Sequence, residues 1–139
     1  MFKIRHAINS DKNFWFTLDN HISESELELK IRDKRGYIIS DSEKLIGIMR
    51  YNLFWDNTPF LTLIHLDEAY HGKGFGRQTI LFWENEMREL GYKMVMTSTQ
   101  VDEEAQHFYR KLGYADRGYL DLANTPFEQP QEILMIKVM

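Results

Sequence analysis

The spacing of apolar and polar positions changes several times along the chain, and each change marks an element. Residues 2–8 (Phe-Lys-Ile-Arg-His-Ala-Ile) alternate with the period of an opening strand. Asn9-Ser10-Asp11 then offers N-cap side chains to a helix carrying Phe14, Trp15 and Leu18. Residues 22–34 are densely charged and read as a second helical or irregular stretch, with Glu26 and Lys30, and Glu28 and Arg32, at the i,i+4 spacing of helical ion pairs. Beyond Gly36 the pattern becomes that of strands at 37–40, 45–54 and 60–66, joined by the turn-forming runs 40–43 and 56–59 into an antiparallel meander.

A helix follows from Phe75 to Leu90, with Ile80, Trp83, Met87 and Leu90 on one stripe and Gly91 as its stop. Residues 92–99 form a strand, so strand, helix and strand make a crossover unit whose two strands should run parallel. The last helix is brief: Asp102 at the cap, Glu103 and Glu104 in the first turn, Arg110 and Lys111 in the last, and Gly113 just past its end. These charges complement the helix dipole at both ends. Strands near 115–121 and 132–138 complete the pattern. The expected fold is a single α/β domain over residues 1–139, with a mixed, mostly antiparallel sheet of about six to seven strands and about four helices.

Composition narrows the chemistry. With 43% hydrophobic and 27% charged residues among 139, the chain is globular rather than disordered. No segment approaches the roughly 18 uninterrupted apolar residues of a membrane helix, and the start lacks the apolar core of a signal peptide. A cytoplasmic protein without a membrane partner is therefore expected. Cysteine is absent, which excludes disulfides, thiolate metal sites and a cysteine nucleophile; any thiol chemistry must use an imported sulfur. The net charge of −4 gives no support to nucleic-acid binding. His6, His21, His65, His71 and His107 show no metal-ligand spacing, so no metal is expected.

The most informative run is His71-Gly72-Lys73-Gly74-Phe75-Gly76-Arg77, placed after a strand and opening a helix. Glycines at alternate positions let the backbone turn sharply and keep side chains clear of a ligand, while the first helical amides point outward without intrahelical partners. Such a loop cradles phosphate, with Lys73 and Arg77 beside it. It lacks the Gly-Lys-Ser/Thr ending of a nucleoside-triphosphate loop, and Arg77 falls where a dinucleotide fingerprint needs its third glycine. A plain turn joining strand to helix is the bland alternative.

Residues 66–76, Leu-Asp-Glu-Ala-Tyr-His-Gly-Lys-Gly-Phe-Gly, resemble motif A of the GNAT superfamily of acyl-CoA-dependent N-acyltransferases. Residues 105–114, Ala-Gln-His-Phe-Tyr-Arg-Lys-Leu-Gly-Tyr, are similar to its motif B. The resemblance implies acetyl-CoA as co-substrate, bound through its pyrophosphate by backbone amides from Gly72 to Arg77 (Gly72, Lys73, Gly74, Phe75, Gly76 and Arg77). It implies that Leu66 offers backbone groups to the pantetheine arm and acyl carbonyl, its amide stabilising the oxyanion. It implies that Tyr109 faces the thioester sulfur as general acid. Three departures stand out: His71 occupies a usual Arg/Gln position, Glu68 replaces a common proline, and Asp102 takes the place of an asparagine that contacts pantetheine.

The implied activity is N-acetyl transfer to a primary amine of a small molecule or protein. The alternatives are a catalytically silent acyl-CoA sensor and a plain interaction module. No acid stands early in strand 60–66, and His65 is the nearest titratable group, so the general base is unassigned. In the family the acceptor cleft involves the first two helices and the last inter-strand loop. Here Asp19, Glu24, Glu26, Glu28, Asp121 and Glu128 would suit a cationic amine, or simply form solvated faces. A homodimer through the last strands is compatible with such a fold.

Overall fold

A computed structural model describes residues Met1–Met139. The elements are β1 (Phe2–His6), α1 (Lys12–Leu18), α2 (Glu24–Arg32), β2 (Gly36–Asp41), β3 (Lys44–Phe54), β4 (Thr58–Leu66), α3 (Phe75–Glu89), β5 (Met94–Gln100), α4 (Ala105–Lys111), β6 (Ala115–Leu120) and β7 (Glu132–Val138), with single 3-10 turns at Asn9–Asp11 and Glu68–Tyr70. The seven strands form one sheet in the order β1-β2-β3-β4-β5-β7-β6. Its resolved pairings are antiparallel except β4 with β5, which run parallel as the crossover unit requires. The architecture is the expected mixed α/β fold with four helices.

The chain forms two compact units, Met1–Asn52 with Thr62–Asn85, and Leu53–Leu61 with Glu86–Met139. In the first, β1 pairs with β2 from Phe2↔Asp41 to His6↔Tyr37, and β2 pairs with β3 through a bulge at Ile39/Ser40. Tyr37, Ile38 and Ile39 are all fully buried, so neighbouring residues that point to opposite faces are covered on both. One face packs Ile38 and Ile48 with Ala7, Trp15 and Leu27 from the segments around α1 and α2. On the other, Tyr37 stacks on Tyr51 at 6.2 Å, Tyr51 meets Trp83 of α3 at 5.8 Å, and Phe82 meets Tyr37 edge-on.

In the second unit, β5 and β7 pair over seven residues, from Met94↔Val138 to Gln100↔Glu132. The parallel ladder of β4 and β5 is far shorter, Phe60↔Met96 and Leu61↔Thr97. The buried hydrophobic residues of this unit are Leu61, Met87, Val95, Met96, Tyr109, Leu112, Tyr114, Ile133 and Met135.

Four local expectations are corrected. Asp11 does not cap α1: its carboxylate accepts from the Ile8 amide at 2.8 Å and from the Arg5 guanidinium at 2.8 and 2.9 Å, closing the 3-10 turn that precedes the helix. Asp102 does not cap α4 either. The Glu103 carboxylate folds back onto the Gln100 amide at 2.9 Å, which holds the chain in a turn, and the helix starts at Ala105. Leu90 is 62% exposed because α3 ends at Glu89 and the chain turns through Gly91, whose φ is +95°. The i,i+4 pairing of Glu28 with Arg32 gives way to Lys12–Glu28 at 2.6 Å and Arg32–Asp33 at 2.9 Å.

Candidate functional site

The glycine run forms the turn between the end of β4 and α3. Gly72 and Gly74 take φ of +73° and +84°, left-handed values that favour glycine, and a Cβ added at either would meet nothing within 4 Å. The glycines are thus required by backbone conformation, and the space above them is open. The Gly74 carbonyl accepts the first helical bond, from the Gln78 amide at 3.0 Å, so the amides of Phe75, Gly76 and Arg77 lie ahead of that bond without intrahelical partners. Phe75 anchors the helix start against Phe2 at 4.9 Å and Tyr70 at 5.5 Å. Two ammonium groups approach the Tyr70 ring, Lys73 at 5.9 Å and Lys44 at 5.8 Å. Lys44 lies at the start of β3, and nothing local in the sequence connects it to the loop. With the exposed Arg77 these cations give the helix start a positive setting for an anion.

Leu66, at the end of β4, is tied to the same loop. The Asp67 amide bonds to the Ile46 carbonyl of β3 at 2.7 Å, and alternation along a strand turns the Leu66 amide and carbonyl toward the opposite edge. There the His71 ring donates from Nε2 to the Leu66 carbonyl at 2.8 Å. His71 therefore serves the backbone at Leu66; the carbonyl keeps a second lone pair, and the amide is not involved in that bond. Gly47 of β3 permits the close approach. A Cβ there would lie 2.6 Å from both the His65 carbonyl oxygen and the Leu66 side chain. The sequence reading missed this residue, whose signal is a glycine inside an apolar strand.

Of the remaining candidates, Tyr109 and Asp102 belong to the second unit and His65 to the first. Tyr109 on α4 is 5% exposed and packs edge-on against Phe108 at 5.2 Å and Tyr114 at 5.3 Å. Burial pushes its phenol up to about 12; a hydrogen bond with the Thr97 side chain works against the rise and the Glu103 charge adds to it. Asp102 is exposed in the turn before α4. His65 is exposed on β4.

The acidic residues near the first two helices do not form an acidic wall. Asp19 is 1% exposed and accepts from Arg50 Nε at 2.9 Å, Trp15 Nε1 at 3.0 Å and the His21 amide at 3.0 Å. Burial works to raise its pKa, but these hydrogen bonds and the Arg50 charge outweigh it and hold the carboxyl below its ordinary value. Glu24 and Glu28 both face Lys12. A cavity of about 520 Å³ opens beside α2, lined by Ser23, Glu26, Lys30, Arg50, Asn52 and Thr62 among others. Lys30, Arg50, Asn52 and Thr62 were missed as site residues. The signal that could have found them is Arg50, a charge inside the apolar run of β3.

The profile of the acetyltransferase (GNAT) family matches residues 4–114. The chain belongs to that family. It is an acetyl-CoA-dependent acyltransferase, and the family uses acetyl-CoA with an amine substrate. No curated protein has a matching sequence. Among solved structures, the acetyltransferase resembles the ribosomal-protein-S18-alanine N-acetyltransferase of Escherichia coli (15% identity, TM-score 0.80, 99% of this chain and 94% of that one). It also resembles the spermidine/spermine N-acetyltransferase SpeG of Vibrio cholerae (20%, 0.79, 99% and 92%). A third is a Bacillus subtilis acetyltransferase in complex with CoA (16%, 0.77, 100% and 99%). At these identities the likeness concerns the fold.

The loop of this acetyltransferase fits the diphosphate of CoA. Open space above two left-handed glycines, free amides at the start of α3 and cations at Lys44, Lys73 and Arg77 are what such a group needs. No group of three or more His, Asp or Glu is placed to hold a metal ion, and no helix is long and apolar enough to cross a membrane.

Proposed function

We propose that residues 1–139 act as one N-acetyltransferase domain that moves an acetyl group from acetyl-CoA directly to a primary amine. The observation that carries this reading is the loop His71–Arg77, where conformation demands glycine and the space beyond it is free. The amides from Gly72 to Arg77 hold the diphosphate, with Lys73 and Arg77 as counter-charges. Leu66 holds the pantetheine arm and, through its amide, the oxyanion that develops on the acyl carbonyl, a kind of stabilisation often worth about 3–4 kcal/mol. His71 acts as a positioning residue by fixing the Leu66 carbonyl. Asp102 stands where the family's pantetheine contact lies, but as an exposed carboxylate it adds little beside phosphate.

Acyl transfer requires a hydrogen on the departing sulfur, and Tyr109 is assigned to supply it. A phenol near 12 stays protonated throughout the working pH range. It is a weaker acid than a thiol near 8.5, so giving its proton outright to the free thiolate is uphill, and the intact thioester sulfur is a weaker base still. Tyr109 therefore acts first as a hydrogen-bond donor to the forming thiolate, and any proton it passes to sulfur is replaced on the phenol by the one the attacking amine loses, so that free thiol and amide are the products. The test is free-thiol release from acetyl-CoA across a panel of primary amines. Release that depends on amine supports the reading; acetyl-CoA binding with no amine turned over would favour a silent sensor.

A further inference from the structure

The cavity beside α2 lacks the acidic lining that would suit a purely cationic amine. Two cations line it, Lys30 and Arg50, against the one carboxylate of Glu26. Asp19, the nearest acid to Arg50, is sealed behind it at 1% exposure and contributes nothing to the cavity surface. We propose that this cavity recognises a carboxylate, and that the amine acetylated by this enzyme carries one, so that its acceptor belongs to the amino-acid class rather than to the polycations.

Arg50 is built for the task. Its Nε is spent on Asp19 at 2.9 Å, its side chain is only 11% exposed, and the buried pair fixes the plane of the guanidinium. The terminal nitrogens remain as the fork that matches a carboxylate. Lys30 is half-buried on the same wall, and its pKa is lowered, first by burial and then by the charges of Arg35 and Arg50, against the weaker pull of Glu26 and Asp33. A cation desolvated beside other cations is short of negative charge, and a bound anion supplies it. Glu26 offers the complementary partner for an ammonium group, so a molecule with both charges suits the lining better than one with positive charge alone. A polyamine would have to place a cation beside Lys30 and Arg50. The volume of about 520 Å³ is that of a small-molecule site.

The inference rests on the acyltransferase reading for the transfer step and on the cavity alone for the carboxylate. The test compares amines that differ only by that group, lysine against cadaverine and tyrosine against tyramine, together with a short peptide bearing an acidic side chain. Thiol release from acetyl-CoA is the readout. The carboxylated member of each pair should show a KM at least about tenfold lower, the size of one charged hydrogen bond. Whether the free amino acid or the acidic peptide is preferred separates the two sources of carboxylate. Removing Arg50 would strand Asp19, so the variant is Lys30→Gln, expected to raise KM for the carboxylated amine about tenfold and not to raise it for the decarboxylated one, with the effect in KM rather than kcat. Glutarate titrated by NMR without acetyl-CoA gives an independent reading, with binding expected in the parent and weakened in Lys30→Gln. Preference for the decarboxylated amines, or indifference of both assays to Lys30→Gln, overturns the proposal while leaving the acyltransferase reading intact. Failure of that reading shows separately, as no thiol release with any amine.

Discussion

Replacing Tyr109 by phenylalanine separates catalysis from packing at one atom. The ring keeps its edge-on contacts with Phe108 and Tyr114 at 5.2 and 5.3 Å, and only the hydroxyl is lost. That hydroxyl interacts with Thr97, but the Thr97 Oγ1 has its own acceptor in the Leu61 carbonyl at 3.1 Å, so no buried donor is stranded. The stability change should therefore stay within about 1 kcal/mol. Loss of the donor to the leaving sulfur should lower kcat roughly 10²-fold, about 2.7 kcal/mol of transition-state stabilisation, with acetyl-CoA affinity retained. Thermal melts, calorimetric acetyl-CoA titration and thiol-release kinetics on the same preparation check all three statements. The parent should also show no alkaline loss of activity from Tyr109 up to pH 10, because its phenol titrates near 12. A variant with parental melting and parental kcat would refute the assignment and leave Tyr109 as a core aromatic.

Gly74→Ala meets no side-chain obstacle, so its cost is backbone strain at φ +84°, about 1–2 kcal/mol, and acetyl-CoA titration should show weaker binding if the loop holds the diphosphate. Gly47→Ala drives a methyl to 2.6 Å from the His65 carbonyl and should destabilise by about 1–3 kcal/mol in urea melts. Asp19→Ala leaves the Arg50 guanidinium buried without its partner and should cost about 3–5 kcal/mol. The pH dependence has a definite sign. The Asp19 carboxyl is held below its unfolded value, so its contribution is complete above an unfolded pKa of about 4 and fades as pH falls through the folded value. Urea melts between pH 7 and pH 3 should show this loss in the parent and a shallower one in Asp19→Asn.

The fold was legible because each element announces its period and its ends. The apolar stripe Ile80-Trp83-Met87 identified α3, and the glycines that break the pattern marked its limits. The expected acyl-CoA loop lay on consecutive residues, and local backbone geometry explains it. The acceptor side was not legible, because its chemistry depends on pairings across the chain. Asp19 reads as a surface acid until Arg50, 31 residues later, is seen to neutralise it, and Lys44 is brought to Tyr70 only by the sheet. The caps at Asp11 and Asp102 failed for a related reason. Both are good capping residues, but Arg5 claims one carboxylate, and the return of Glu103 to Gln100 shifts the start of α4 past the other.

The central claim is that the loop His71–Arg77 binds acetyl-CoA. Calorimetric titration of acetyl-CoA into the parent and Gly74→Ala, with the fold of both checked by thermal melting, tests it most directly. The account predicts saturable binding to the parent and clearly weaker binding to the folded variant. Absence of binding to the parent at millimolar acetyl-CoA, or equal affinity in the two proteins, would contradict it.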